Sequence, residues 1–169
     1  MSQHICYLFL PMIFANIAHM YVVKLDLWPA IKIPLHRSWF GENKTFRGFI
    51  VVTLFSAIFT VLMNTVVGSY SLIAANNLGL LLGFTYTLSE LPNSFLKRRL
   101  GIPAGGKSIR FTWFFILLDR LDSSLGVVLV YCLYLQANME SFIQLVLLAI
   151  SVHFVFSALM VSLGVKKEL

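Results

Sequence analysis

Five long apolar segments, separated by polar stretches, make up most of this 169-residue chain. They run approximately over residues 5–23, 49–67, 72–88, 111–135 and 142–163. A helix needs about 17 to 25 such residues to cross the hydrocarbon core of a bilayer. Because backbone polar groups must be paired inside a bilayer, segments of this kind are expected to be helical. The pattern therefore predicts an all-α, polytopic integral membrane protein with five transmembrane helices.

Composition supports this prediction and excludes an ordinary soluble domain. The chain is 59% hydrophobic and 12% charged, and its mean hydropathy is +0.85. We find no internal repeat and no linker, so residues 1–169 are expected to form a single membrane domain. The net charge of +6 lies mainly beside the apolar segments. That placement favours phosphate-bearing ligands or anionic headgroups as partners and argues against nucleic acid.

The positive charges also predict an orientation in the membrane. Two long polar loops, over residues 24–48 and 89–110, contain five Lys or Arg each, and the C-terminal tail contains two more. The N-terminus and the two short turns contain none. The positive-inside rule then places the N-terminus outside and both long loops and the C-terminus in the cytoplasm. The expected location is the cell (inner) membrane, with any site on these loops facing the cytoplasm.

The fourth apolar segment contains three charged residues, Asp119, Arg120 and Asp122. Each would cost roughly 2.5 to 3.5 kcal/mol at the centre of a bilayer, so they need partners or a position near the headgroups. On a helix Asp119, Asp122 and Ser123 share one face. Two carboxylates on one face can hold Mg²⁺. The alternative is an interfacial Asp-Arg-Asp cluster that caps the start of the helix.

The two basic loops contain further candidates for phosphate binding. Lys97, Arg98 and Arg99 form a run that could bind a triphosphate, although such runs are also common determinants of topology or contacts for anionic lipid. Lys44 and Arg47 are three residues apart and could point together at an anion. Three polar residues follow the third apolar segment directly and enter the same interface: Glu90, Asn93 and Ser94.

Three motifs resemble the phosphatidate cytidylyltransferase superfamily, and above all its short, five-helix CDP-archaeol synthase-like (CarS-like) branch. They are GENKTFRG before the second segment, SELPNSFLKRRLGI after the third and DRLD in the fourth. The chain departs from the superfamily in two respects. Thr112, Trp113 and Phe114 replace its His-Gly-Gly, and its Lys-Asp pair is missing. It departs from the archaeol branch at Glu90, where Asp is usual, and at Arg120, where Gln is usual.

This resemblance implies an enzyme that joins CTP and a membrane lipid phosphate into a CDP-lipid and pyrophosphate. It implies Mg²⁺ as cofactor, held by Asp119 and Asp122, with or without a second cation. The lipid could be phosphatidate or a substrate like archaetidic acid, and a homodimer is an open option. The implied catalytic residues are Lys97, Arg98, Asp119 and Asp122. The implied substrate-binding residues are Asn43, Lys44, Thr45, Arg47, Glu90, Asn93, Ser94, Arg99 and Ser123.

A second hypothesis needs no catalysis. In it the chain is a non-catalytic membrane protein whose basic loops bind anionic lipid or a partner.

Overall fold

The computed structural model describes residues 2–106 and 112–162, apart from the side chains of Ser2, Thr112, Arg120, Phe156 and Met160. Within these residues all regular structure is helical, and the β-structure consists of one isolated bridge between Pro34 and Thr45. The predicted all-α class is confirmed. Candidate residues Lys107 and Arg110 of the second basic loop lie outside the described residues.

The helices follow the predicted apolar segments in order. A short helix α1 (Ser2–His4), a π-helical turn (Ile5–Phe9) and α2 (Leu10–Lys24) run on from one another. The first polar loop contains a 3₁₀ turn (Pro29–Ile31) and α3 (Arg37–Phe40). The remaining long helices are α4 (Phe46–Val67), α5 (Leu72–Arg99), α6 (Thr112–Leu135) and α7 (Met139–Ser162).

Four stretches of helix among the described residues are long and apolar enough to cross a membrane. They are Ile5–Lys24, Phe46–Val67, Leu72–Arg99 and Met139–Leu159. The fourth predicted segment is helical as expected, but every 18-residue window of α6 contains Asp119, Arg120 and Asp122. The structure therefore supports a membrane protein with four candidate spans, and a fifth crossing by α6 stays a prediction.

The predicted loop over residues 89–110 is wrong in its first half, because α5 continues as a helix to Arg99. Apolar residues end near Leu88, but the stop signal comes later, at Gly101, whose φ is 73°. The Gly101 N–H donates to Arg98 O at 3.1 Å and the Ile102 N–H to Lys97 O at 2.9 Å, which is a Schellman cap. Pro92 removes one backbone donor, yet the helix runs through it. The polar residues of the predicted loop thus stand on a rigid helix.

The closest helix packing joins α4 to α5. A Cβ at Gly79 would lie 2.5 Å from the Ala57 Cα, and one at Gly83 would lie 2.7 Å from the Thr53 Cα. Glycines four residues apart on one face allow two helix backbones to approach closely, the arrangement that drives helix association in lipid. This pair was not recognised from the sequence, although its G-x-x-x-G spacing is visible there.

The short turn after α4 is confirmed and is held by polar contacts. The Tyr7 hydroxyl donates to Asn64 Oδ1 at 2.7 Å, and Asn64 Nδ2 donates to Tyr70 O at 2.9 Å. Gly68 ends α4 with a φ of 69°. The end of the bundle opposite the basic loops is therefore closed by uncharged hydrogen bonds.

Gly83→Val should destabilise the bundle by roughly 1–3 kcal/mol, because the added methyl groups overlap the α4 backbone. The matched control is Leu81→Phe, which adds volume two residues away on an exposed position of the same helix. Thermal melting in detergent should show a lower Tm for Gly83→Val and little change for Leu81→Phe. Equal Tm values for the two variants would contradict the packing described here.

Candidate functional site

The site is built where α5 and α6 run antiparallel, with one contact on each successive turn. The first of these contacts joins Gly126 of α6 to Ser89 of α5, where a Cβ on Gly126 would be 2.6 Å from the Ser89 Cβ. One turn towards the basic loops Asp122 meets Asn93, and a further turn on Asp119 meets Lys97. The small residues set the distance between the helices, and the polar pairs then fall opposite each other.

Asn93 is at the centre of this site. Its Nδ2 donates to Asp119 Oδ1 at 2.6 Å and to Asp122 Oδ2 at 2.8 Å, so both carboxylates contact a single nitrogen. The side chain is only 6% exposed, and its Oδ1 has no hydrogen-bond partner in the described part of the chain. A buried acceptor without a partner is costly, which is typical of a group that awaits a ligand.

Lys97 neutralises one of the two carboxylates. Its Nζ lies 2.5 Å from Asp119 Oδ1 and 2.7 Å from Oδ2, and it stands 5.6 Å from the centre of the Phe115 ring. The Lys97 side chain is 17% exposed and that of Asp119 is 45% exposed. The pair is therefore open to solvent on the carboxylate side.

A second ion pair connects the first basic loop to the same face of α5. Lys44 donates to Glu90, and both side chains are about three-quarters buried. Glu90, Asn93 and Lys97 are spaced three and four residues apart, so they form one stripe along α5. The Lys44–Glu90 ion pair therefore lies on the same stripe of α5 whose residues Asn93 and Lys97 contact the carboxylates of α6.

Arg98 lies between the two basic loops. A Cβ on Gly41 would lie 3.5 Å from Arg98 Nε and 3.0 Å from the Ala104 Cβ, and one on Gly105 would lie 3.5 Å from Asn43 Nδ2. The Nε and Nη1 atoms of Arg98 are buried and find no hydrogen-bond partner among the described residues. A guanidinium with two buried, unused donor atoms is suited to bind an anion.

Arg47 does not join this cluster in the structure. Its side chain is 3% exposed, and its Nη1 donates to Asp26 Oδ1 and to Leu27 O, both at 2.8 Å. Asp26 also accepts from Lys32 at 2.9 Å. These contacts fasten the end of α2 to the start of α4, while the buried Arg47 Nε has no hydrogen-bond partner among the described residues. The role of Arg47 in substrate binding stays a prediction.

The role of Asp26 was not predicted from the sequence of this cation-rich loop. The available signal was a carboxylate directly after the first span, close to Lys32. Hydrogen bonds from Lys32 and then from Arg47 lower the pKa of the Asp26 carboxyl below its ordinary value of 3.8. Its ionised form is thus the form that holds the loop.

The other predicted substrate-binding residues occupy varied positions. Thr45 caps α4, and its hydroxyl accepts from the Gly48 N–H at 3.3 Å. Arg99 is exposed and stacks on the Phe95 ring at 4.9 Å. Ser94 lies on α5 next to Asn93, and Ser123 is buried beside Asp122, with its N–H donating to Asp122 Oδ1 at 2.5 Å.

The residues present fit a hard divalent cation such as Mg²⁺. Asp119 and Asp122 each place an oxygen within hydrogen-bond distance of one Asn93 nitrogen, and the amide oxygen of Asn93 is unused. Two carboxylates and an amide oxygen are the ligand types that Mg²⁺ takes, with water or phosphate completing its shell. Within the described residues no group of three or more His, Cys, Asp or Glu is placed to hold a metal.

A partly open cavity of about 70 Å³ begins beside Ser123 and extends into the bundle. Polar side chains line one part of it, and aliphatic and aromatic side chains line the rest. The polar lining residues are Asn16, Tyr86, Ser123, Ser124 and His153, and the apolar ones include Leu8, Phe9, Met12, Val127, Val128, Ala149 and Val152. Residues of α2, α5, α6 and α7 therefore surround a space that leads away from the carboxylates.

This arrangement of carboxylates, lysines and a membrane-embedded cavity defines a membrane protein with a polar site at one end of its helices. The CarS-like family, described as CDP-archaeol synthase, matches residues 3–168, and the chain belongs to this family. The family resemblance stated from the motifs is thereby confirmed.

Three relatives illustrate the similarity, each named CDP-archaeol synthase. The one from Sulfurisphaera tokodaii is 28% identical over 118 residues, which cover 69% of this chain and 64% of the relative. The one from Pyrobaculum islandicum is 29% identical over 132 residues, covering 78% and 74%. The one from Saccharolobus solfataricus is 31% identical over 97 residues, covering 57% and 52%. The matched part thus spans about half to three quarters of these relatives. No solved structure shows a significant match to the chain.

Asp26→Asn should loosen the first basic loop, because it leaves the buried Arg47 guanidinium without its carboxylate. Hydrogen–deuterium exchange should speed up severalfold at the amides of Leu35 and Phe46, which bond to Lys44 O and Ile33 O across this loop. Glu42→Gln is the matched control, since Glu42 is an exposed carboxylate of the same loop.

The same contact predicts a pH dependence. A carboxyl whose folded pKa is lowered stabilises the fold at pH values above its ordinary pKa, and this stabilisation is lost as the pH falls through the lowered value. Protection from exchange at Leu35 and Phe46, after correction for the intrinsic pH dependence of amide exchange, should therefore fall in wild type only below about pH 3.8. Unchanged exchange in Asp26→Asn would show that Arg47 does not fasten the loop.

Proposed function

We propose that this protein is a CTP-dependent cytidylyltransferase that forms a CDP-lipid and pyrophosphate from CTP and a membrane lipid phosphate. The observation that supports this best is the contact of Asn93 with both Asp119 and Asp122. Lys97 contacts the Asp119 carboxylate as well. Phosphate-binding cations and cation-binding carboxylates thus meet at a single point, directly beside a cavity in the membrane domain. Family membership and the names of the relatives agree with this proposal.

The proposed reaction joins two anions. An oxygen of the lipid phosphate attacks the α-phosphorus of CTP, a new P–O bond forms, and the bond to the β-phosphate breaks so that pyrophosphate leaves with the electron pair. The barrier falls when cations neutralise the triphosphate and hold the attacking oxygen in line. Lys97, the unpaired donors of Arg98 and the ammonium of Lys44 would supply that field from three directions.

A bound Mg²⁺ would be held by Asp119 and Asp122, with the Asn93 amide oxygen as a further ligand, and would neutralise charge on the phosphates. Asn93 orients the two carboxylates, and Phe115 covers one side of Lys97. Glu90 holds Lys44 at the site through their ion pair. Arg47 and Asp26 act at a distance, by fixing the loop that presents Lys44.

The part of the lipid nearest its phosphate, where the chains join glycerol, would enter the cavity that begins at Ser123. Its apolar walls suit hydrocarbon, and its polar corner suits the oxygen atoms that connect the chains to glycerol. The names of the relatives favour an isoprenoid diether phosphate over phosphatidate as the natural substrate. In the orientation set by the positive-inside rule, with α6 as the fifth span, the site faces the cytoplasm, where soluble CTP can reach it.

Purified protein with Mg²⁺ and CTP should release pyrophosphate only when a lipid phosphate is added. A panel of diacyl and diether glycerol phosphates in mixed micelles identifies the lipid, and the diether is expected to give the higher kcat/KM. Asp119→Asn should lower kcat by about 100-fold or more, the usual scale for loss of a charge-stabilising group. Glu140→Gln, an exposed carboxylate of α7, should leave the rate unchanged.

The rival function predicts a different result from the same assay. A non-catalytic protein whose basic loops bind anionic lipid would release no pyrophosphate with any lipid of the panel. It would also show no saturable stabilisation by CTP and Mg²⁺ in a thermal-shift measurement. Either finding in correctly folded protein would overturn the proposed reaction.

Ala149→Phe should raise the KM for the lipid severalfold while leaving the KM for CTP nearly unchanged, because the ring would fill part of the cavity. Ala149 is 8% exposed and lines the cavity from α7. Ala158→Phe is the matched control, since it adds the same ring at an exposed position of the same helix. Equal lipid KM values for the two variants would show that the chains bind elsewhere.

A further inference from the structure

The Asp119 carboxylate already has a cation in this structure, the ammonium of Lys97. Both of its oxygens lie within 2.7 Å of Lys97 Nζ, and one of them also accepts from Asn93. The other carboxylate, Asp122, lies one turn further along α6 and also contacts the Asn93 amide. Lys97 and the Asn93 amide therefore already contact the carboxylate oxygens that would ligate a divalent cation.

We infer that Lys97 is an exchangeable counter-ion, which a divalent cation displaces from Asp119 and which then turns to the nucleotide phosphates. Only the identity of the nucleotide depends on the function proposed above. The flexible four-carbon stem of lysine allows its ammonium to change partners without movement of α5. Asn93 can change partners as well, because rotation of its amide would present the unused Oδ1 in place of Nδ2.

The energetic consequence is a coupling between two ligands. A divalent cation that binds alone must break the contact between Lys97 and Asp119, and so must a triphosphate that binds alone through Lys97. When both bind together this contact is lost only once. Each ligand therefore strengthens the binding of the other, and the coupling is reciprocal.

The first test measures the cation alone. The probe is Mn²⁺, which prefers the same oxygen ligands as Mg²⁺ and is read by electron paramagnetic resonance, with full-length protein and no nucleotide. Lys97→Met should tighten Mn²⁺ binding about tenfold, the change that 1.4 kcal/mol produces. Arg99→Met is the charge-matched control, since Arg99 stacks on Phe95 two residues along the same helix. Its Mn²⁺ affinity should change much less.

Lys97→Arg provides a rescue, because a guanidinium can keep the contact with Asp119 and should return the Mn²⁺ affinity towards that of wild type. Circular dichroism and size-exclusion profiles establish that the variants are folded. If Lys97→Met binds Mn²⁺ no more tightly than Arg99→Met, or if neither binds it, Lys97 is not a competitor for the cation and the inference fails.

The second test measures CTP binding in EDTA. Asp119→Asn, which frees Lys97 without any cation, should bind metal-free CTP about tenfold more tightly than Asp122→Asn. The two variants remove the same charge one turn apart, but only Asp119 contacts the Lys97 ammonium. Equal affinity in the two variants would overturn the exchange of partners.

The two tests separate this inference from the proposed function. Pyrophosphate release by the wild type, combined with equal Mn²⁺ affinity in Lys97→Met and Arg99→Met, would refute the exchange and leave the enzyme proposal standing. Tighter Mn²⁺ binding in Lys97→Met without any pyrophosphate release would support the exchange and refute the enzyme.

Discussion

The antiparallel contact of α5 and α6 is the constraint on which the rest of the site depends. Gly126 removes a side chain where Ser89 must fit, and this sets how closely the two helices approach. Each further turn then brings a polar residue of α5 opposite a carboxylate of α6. A larger residue at position 126 would separate the helices and pull Asn93 away from both aspartates at once. Packing and chemistry are therefore fixed by the same interface.

Most buried or half-buried cations at this end of the bundle form an ion pair with a carboxylate. Lys44 has Glu90, Lys97 has Asp119, and Arg47 has Asp26. Each pair spares its more buried partner, above all the Arg47 guanidinium, the cost of an isolated charge, although the carboxylates of Asp26 and Asp119 are about half exposed. Arg98 has no ion-pair partner among the described residues, and two of its donor atoms are unused there, whereas Arg47 leaves only Nε unused. It is thus the residue at which an incoming anion replaces no existing partner.

Much of the architecture could be predicted from hydropathy, because long apolar segments have few alternatives to helix in a bilayer. The end of α5 could not be found that way. It depends on the cap at Gly101, which lies well beyond the last apolar residue of the span. The membrane orientation rests on charge placement and the crossing of α6 on the length of its apolar segment, and both remain predictions.

The site was predictable in its residue types and less so in its contacts. Spacing placed Asp119, Asp122 and Ser123 on one face, and motif likeness pointed to Asn93 and Lys97. Arg47 belongs to another of the three motifs, GENKTFRG, yet its guanidinium contacts Asp26, a pairing over 21 residues that no local pattern indicates. The cavity is lined by residues of several helices, so the sequence of a single segment does not predict it.

The length of α5 has a consequence for where in the membrane chemistry can take place. Its 28 residues span about 42 Å at a rise of 1.5 Å each, whereas the hydrocarbon core of a bilayer is about 30 Å thick. An α5 that crosses upright would extend its last turns into the headgroup region and hold Asn93 and Lys97 at that height. A bilayer that is thicker or thinner than the native one would shift lipid phosphates away from that height, so membrane thickness itself would tune the encounter between site and substrate.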